Sequence, residues 1–171
     1  NGIISYLTKK KEEENNGEEA LNLSGGGRPN PSCPITNLIK YDQSHIDDFY
    51  YNCYTDPKPN STEGWIEFDF GERKVNLTSY TLRTSGNGPN SYYHAKTWRI
   101  VGSNDGKEWD DINRQTNNSS LNDSYKQHRF ECEHTNKYYR YIRYIQDDSW
   151  YSQREHCVYF TCIEFFGSIL L

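Results

Sequence analysis

The chain has 171 residues, enough for one domain that buries about 70% of its unfolded surface but tight for two separate cores. Its 19 basic and 24 acidic residues leave a net charge of −5, and no Lys/Arg run could neutralise a string of phosphates, so a nucleic-acid partner is disfavoured. Only 33% of residues are hydrophobic but 15% are aromatic, so rings must supply the core that Leu and Val lack, and no apolar stretch approaches the roughly 20 residues that span a bilayer.

The opening NGIISYLTKK holds a short apolar cluster, Ile3, Ile4, Tyr6 and Leu7, expected to dock. The charged KKKEEENNGEE behind it has nothing to bury and is expected to be a mobile loop. Residues 1–19 thus read as a partly mobile extension, and 20–171 as a single β-sandwich domain. Ala20 to Ser24 is a short strand candidate, broken by the Gly/Pro-rich stretch that follows. From Ile35 to Thr55 the chain is polar and Tyr-rich, an irregular loop with short strands closed by Pro57 and Pro59.

From Trp65 the pattern sharpens. WIEFDFG alternates Ile66, Phe68 and Phe70 with Glu67 and Asp69, the period-two signature of a half-buried strand. In VNLTSYTLRT, Val75 and Leu77 agree in phase with each other but not with Tyr80 and Leu82, which predicts a bulge between them. TWRIVGSNDGKEWDDI reads as two strands about a tight Asp105-Gly106 turn, with Trp98, Ile100, Trp109 and Ile112 as core groups.

Three further strands follow, placing Phe130 and Cys132, Ile142 and Tyr144, and Ile163 and Phe165 inward. Arg140 and Arg143 flank Ile142 and require partners, Asp69 being one candidate. About eight short strands with turn clusters between them, and no convincing amphipathic helix, mean an all-β sandwich or closed barrel.

The five cysteines, Cys33, Cys53, Cys132, Cys157 and Cys162, are odd in number and irregularly spaced, which favours reduced thiols and an intracellular, cytoplasmic protein. Asn-x-Ser/Thr sequons stand at Asn22, Asn60, Asn76, Asn117, Asn118 and Asn122; in so Asn-rich a chain chance accounts for them, unless the protein is secreted. The absence of Met is expected of a piece of a longer protein. Neither Cys132-x-His134 nor His156-Cys157 has zinc-site spacing, so no metal site is assigned. No nucleophile elbow, phosphate-binding Gly loop or paired helical His is present, so no catalysis is expected.

The segments GWIEFDFGERKVNLTSYTLRT, AKTWRIVGSNDGKEWDDI, KYYRYIRY and FTCIEFFG, running from Gly64 to Gly167, resemble the successive signature strands of the discoidin family. This is the coagulation factor 5/8 type C, galactose-binding-like group. The most specific piece is WRIVGSNDGKEW, whose aromatic strand, turn and Trp109 match the family's central hairpin in order and spacing. GIISYLT and ALNLS resemble the start of intracellular members attached to BTB or other adaptor domains in protists and amoebae.

The resemblance implies an eight-stranded antiparallel jelly roll presenting loops at one end, where members bind sugars, phospholipid headgroups, collagen or peptides. Extracellular members commonly join their ends by a disulfide; FFGSILL closes this chain without such a Cys. By the family's topology the binding loops are Tyr41 to Tyr54, Ser85 to Lys96 and Asp147 to Cys157. Their polarity counts against a membrane-spiking module.

In these loops Tyr51, Tyr54, Tyr92, Tyr93, Trp150 and Tyr151 supply rings for stacking. Asn87, Asn90, His94, Arg154 and His156 supply hydrogen bonds, a mixture that suits a sugar. The plainer role for each is to cover the end of the sandwich. Some sugar-binding relatives hold a structural calcium in a loop like Asp47 to Asp56, though this one lacks calcium-binding spacing, and no other cofactor is implied. The expected function is non-catalytic recognition of a protein or glycan ligand, within a parent chain of several domains. The alternatives are a carbohydrate-binding or adhesion module of a secreted protein, and a domain that only packs against its neighbours.

Overall fold

The computed structural model describes residues 2–14, 21–26, 35, 38, 50–52, 64–91, 94–151 and 157–171. Among them lie one helix, α1 (Ile3–Glu14), and ten strands: β1 (Asn22–Gly25), β2 (Tyr50–Asn52), β3 (Trp65–Asp69), β4 (Lys74–Arg83), β5 (Ala95–Ser103), β6 (Asp110–Gln115), β7 (Gln127–Glu131), β8 (Tyr141–Ser149), β9 (Val158–Phe160) and β10 (Cys162–Leu170). A five-stranded sheet has the order β1-β3-β8-β5-β6, a three-stranded sheet β10-β4-β7, and β2 pairs with β9. Every pairing is antiparallel.

The sheets meet through rings. Phe68 of β3 meets Phe165 of β10 edge to face at 4.9 Å, and Trp98 of β5 meets Phe130 of β7 at 5.1 Å. Tyr144 of β8 packs on Phe160 of β9 at 5.1 Å. The alternation read from Trp65 onward holds: Ile66, Phe68 and Phe70 are wholly buried. So does the phase change in β4, where the register against β10 slips between Phe166 and Gly167, leaving Thr78 as the extra residue.

Four expectations are corrected. First, Ile3–Glu14 is helical, where no helix was expected and the charged stretch read as a mobile loop; the apolar cluster docks as expected except for Tyr6, which is exposed. Ile3, Ile4 and Leu7 share one face of it and are buried. The Glu164 side chain, reaching across from β10, accepts the backbone N–H of Ile4 (2.8 Å) and of Ser5 (3.1 Å) and the Ser5 hydroxyl, doing at long range what an N-cap residue does locally.

Second, the hairpin turn is wider than two residues, spanning 104–109 between β5 and β6. Asp105 turns back to accept the N–H of Lys107 (2.8 Å) and Glu108 (2.9 Å), an Asx turn that lengthens the loop. Those bonds and the Ser103 hydroxyl hold its carboxyl below the ordinary value. Third, Trp109 lies half-buried outside the core against Arg143, whereas Ile112, at a bulge opposite Ile100 and Val101, packs against the core as expected. Fourth, Cys157 is disulfide-bonded, against the expectation of reduced thiols, whereas Cys132 and Cys162 are in no disulfide.

Arg140, just before β8, and Arg143, within it, are both paired. Arg140 donates to both Asp69 oxygens, at 2.8 and 3.0 Å, and the guanidinium holds the Asp69 carboxyl below its usual range. Arg143 donates to Glu67 at 2.7 Å and lies between the rings of Trp65 (3.9 Å) and Trp109 (4.4 Å). The sandwiched arginine loses more on truncation than the exposed one. Arg143→Ala is expected to lower stability by about 1–2 kcal/mol, with a smaller effect from Arg140→Ala. Urea melts check this, and an Arg143→Ala curve that overlays wild type overturns it.

Candidate functional site

At the end of the sandwich where β4 finishes, the described loops are laced into one unit. Thr84 donates its N–H to Lys126 O (2.8 Å) and its hydroxyl to Asp123 O (2.6 Å), and it accepts the Lys126 N–H at 2.9 Å. Tyr125 N–H bonds Ser85 O at 2.9 Å. Further out, Asn90 and Asn122 exchange bonds: the Asn90 N–H donates to Asn122 Oδ1 (2.8 Å) and Asn122 Nδ2 to Asn90 Oδ1 (3.0 Å). The loop after β6, absent from the sequence-based candidates, thus forms half of this end.

Trp150 ties in the third segment. Its indole N–H donates to Asn118 O (3.2 Å), its backbone N–H to His94 O (2.9 Å), and the Lys96 ammonium sits 4.9 Å from its ring. Gln146, buried on β8, accepts the Tyr144 hydroxyl at 2.8 Å and donates to Cys157 O, which anchors the chain where it re-enters β9.

The residues proposed from sequence fare differently. His94 is corrected: it is wholly buried, not a surface contact. Its Nε2 lies 2.8 Å from Asn87 O and 3.1 Å from Gly88 O, so Nε2 carries the proton and the ring holds the loop backbone. Nδ1 is buried with no hydrogen-bond partner among the described residues. Asn90 and Trp150 clamp loop to loop as described above. Asn87 is half-buried, its Nδ2 donating to Ser85 Oγ at 3.0 Å, and Tyr151 is exposed. Tyr51 lies on β2, whose side chains are not described, and Tyr54, Tyr92, Tyr93, Arg154 and His156 lie outside the described residues, as does most of Asp47 to Asp56.

All three non-glycine residues with positive φ among the described residues, Asn90 (57°), Asn117 (48°) and Tyr125 (51°), fall in these two laced loops. Asn tolerates this conformation; a bulky ring does not. Strain held in place by surrounding bonds clusters at sites that bind. No group of three or more His, Cys, Asp or Glu is arranged for a metal among the described residues. The Cys132 thiol, pushed up to about 12 by burial and by Glu131, is not a ready thiolate.

A family model described as F5/8 type C domain matches residues 40–160. No curated protein matches the chain. Among solved structures it is similar to the C-terminal domain of a chitobiase from Bacteroides fragilis, with 16% identity and a TM-score of 0.60 over 89% of this chain and 96% of that one. It is also similar to a CBM32 domain of a family 31 glycoside hydrolase bound to GalNAc, at 18% identity and TM-score 0.56, covering 86% of this chain and 97% of that one. A family 89 glycoside hydrolase from Clostridium perfringens, in complex with GlcNAc-α-1,4-galactose, shares the fold at 18% identity and TM-score 0.58 over 88% of this chain. The match spans only 14% of that enzyme's length. At these identities the likeness is one of fold.

Proposed function

From its membership of the F5/8 type C domain family, to which the chain belongs over residues 40–160, we propose that this protein is a non-catalytic carbohydrate-recognition module. The observation that carries the reading is the laced loop end, where strained backbone is fixed by bonds between Thr84, Ser85, Asn90, Asn122 and Tyr125. A preorganised polar rim with rings suits a ligand of many hydroxyls and one apolar face.

The disulfide at Cys157 favours an oxidising, secretory setting over the cytoplasm. The sequons then become informative. Asn76 is buried, its Nδ2 donating to Thr135 O and Lys137 O, both at 2.6 Å, whereas Asn22 and Asn117 are exposed. Native protein is expected to carry glycans at Asn22 or Asn117 and none at Asn76, as read by peptide mapping. An unmodified native protein would return the module to the cytoplasm without touching its ligand class.

Calorimetric titration with galactose, N-acetylgalactosamine and N-acetylglucosamine tests the main reading. Binding is expected in the millimolar to micromolar range, about −4 to −8 kcal/mol, and Asn87→Ala should weaken it about fivefold. No heat from any of the three at about 10 mM overturns the reading.

A second reading has its own observation. At the opposite end of β4, the exposed Tyr6 and Leu171 border a cavity of about 350 Å³ lined also by Ile3, Ile169, Lys10 and Arg73, and Leu170 beside it is exposed. Apolar surface of this kind fits packing against a neighbouring domain. It lies away from the loops and is compatible with ligand binding there.

A further inference from the structure

We propose that Tyr125, on the loop between β6 and β7, is the platform on which the ligand's pyranose ring stacks, an assignment that rests on the carbohydrate reading above. The backbone at Tyr125 is left-handed, φ 51°, a conformation that glycine enters freely and a bulky side chain does not. It is imposed from outside: Tyr125 N–H is bonded to Ser85 O and the next residue, Lys126, exchanges bonds with Thr84. A glycine would satisfy those bonds without strain. The loop keeps a tyrosine there and leaves it 53% exposed.

The ring is also seated. A Cβ placed on Gly86 would lie 2.5 Å from the Tyr125 hydroxyl oxygen and 2.7 Å from Cζ, so the phenol end occupies space that only glycine leaves open. The Arg83 guanidinium stands 5.8 Å from the ring centroid. The ring is braced against a bare backbone and near a cation, and still stands more than half in solvent. Its fixed orientation is what a C–H face of a sugar requires, since a preset ring loses little freedom on binding. The Asn90–Asn122 pair borders the same loops and would meet hydroxyls at the edge of the stacked sugar.

The test measures affinity and folding together, using galactose, N-acetylgalactosamine and N-acetylglucosamine as probes. Tyr125→Phe should bind within about twofold of wild type, and Tyr125→Gly should lose about tenfold, the size of a stacking contribution. Tyr125→Gly should melt at or above the wild-type temperature, because glycine relieves the left-handed strain. Gly86→Ala, which displaces the ring, should weaken binding in the same direction. A Tyr125→Gly protein that binds like wild type, or that melts several degrees lower, overturns the platform whatever the ligand. If wild type itself binds none of the probes, the carbohydrate reading fails and takes the platform with it.

Discussion

Replacing Glu164 by alanine is expected to lower the stability of the domain by about 3 kcal/mol, roughly 6–12 °C in melting temperature for a chain of this size. Glu164 is 7% exposed, and its carboxylate accepts the N–H of Ile4, the N–H of Ser5 and the Ser5 hydroxyl. These are donors that the first turn of a helix cannot satisfy by itself. Its charge also sits at the positive end of α1, and each such buried donor left without an acceptor costs about 1 kcal/mol or more. The Gly2 Cα lies so close to this side chain that an added Cβ would overlap it, so strand and helix are fitted at this point.

The loss should spread beyond the hydrogen bonds. Ile3, Ile4 and Leu7 dock on the core only while the helix is held at this angle, and their exposure would open Lys9 and Lys10 to trypsin. Glu164→Gln keeps one acceptor oxygen and should lose about a third as much. Adding Ile4→Ala to Glu164→Ala should cost less than the sum of the two, because both report one undocking event. A Glu164→Ala protein melting within about 2 °C of wild type would show that α1 does not depend on this contact.

This long-range cap also shows where reading the chain succeeds and where it fails. The strand Trp65–Asp69 was legible because its alternation follows from a sheet with one face in the core, and the β4 bulge because Val75 and Leu77 disagree in phase with Tyr80. Helix α1 was not, because three apolar residues are a thin amphipathic signal and the acceptor that stabilises the first turn lies 160 residues away. Trp109 looked like core by composition, but the cation of Arg143 gives an indole a place outside it.

The same division runs through the loops. Asn87 and Asn90 lie on a loop at the end of the sandwich, as their Gly- and Asn-rich surroundings predict. His94 was misassigned because the carbonyls of Asn87 and Gly88 draw its ring inward, and nothing local announces that. Tyr125 was missed for a related reason. Its backbone conformation is dictated by Thr84 and Ser85, some 40 residues earlier, whereas in sequence it is one more tyrosine among 15.

Alkali should unfold this domain cooperatively, and two wholly buried tyrosines contribute to the steepness. Tyr80 and Tyr144 are wholly buried. Burial drives both phenols far above their ordinary value, against the Trp98 indole N–H at 2.8 Å that favours the Tyr80 phenolate. Each donates its proton inside the core, Tyr80 to Asn113 Oδ1 (2.7 Å) and Tyr144 to Gln146 Oε1 (2.8 Å). With the folded value raised, the folded state keeps protons that the unfolded chain releases above about pH 10. Stability therefore stands intact below that pH and falls as pH rises through it, by about 1.4 kcal/mol per pH unit for each tyrosine. The Cys132 thiol, raised to about 12, adds to the same fall from about pH 9. Guanidinium melts between pH 8 and 12 would measure the slope. Tyr144→Phe removes one titrating group and should flatten it by about 1.4 kcal/mol per pH unit above pH 10, even though the variant starts less stable. An unchanged slope would mean that Tyr144 ionises in the folded protein, and that the ring-filled core admits water where these sheets meet.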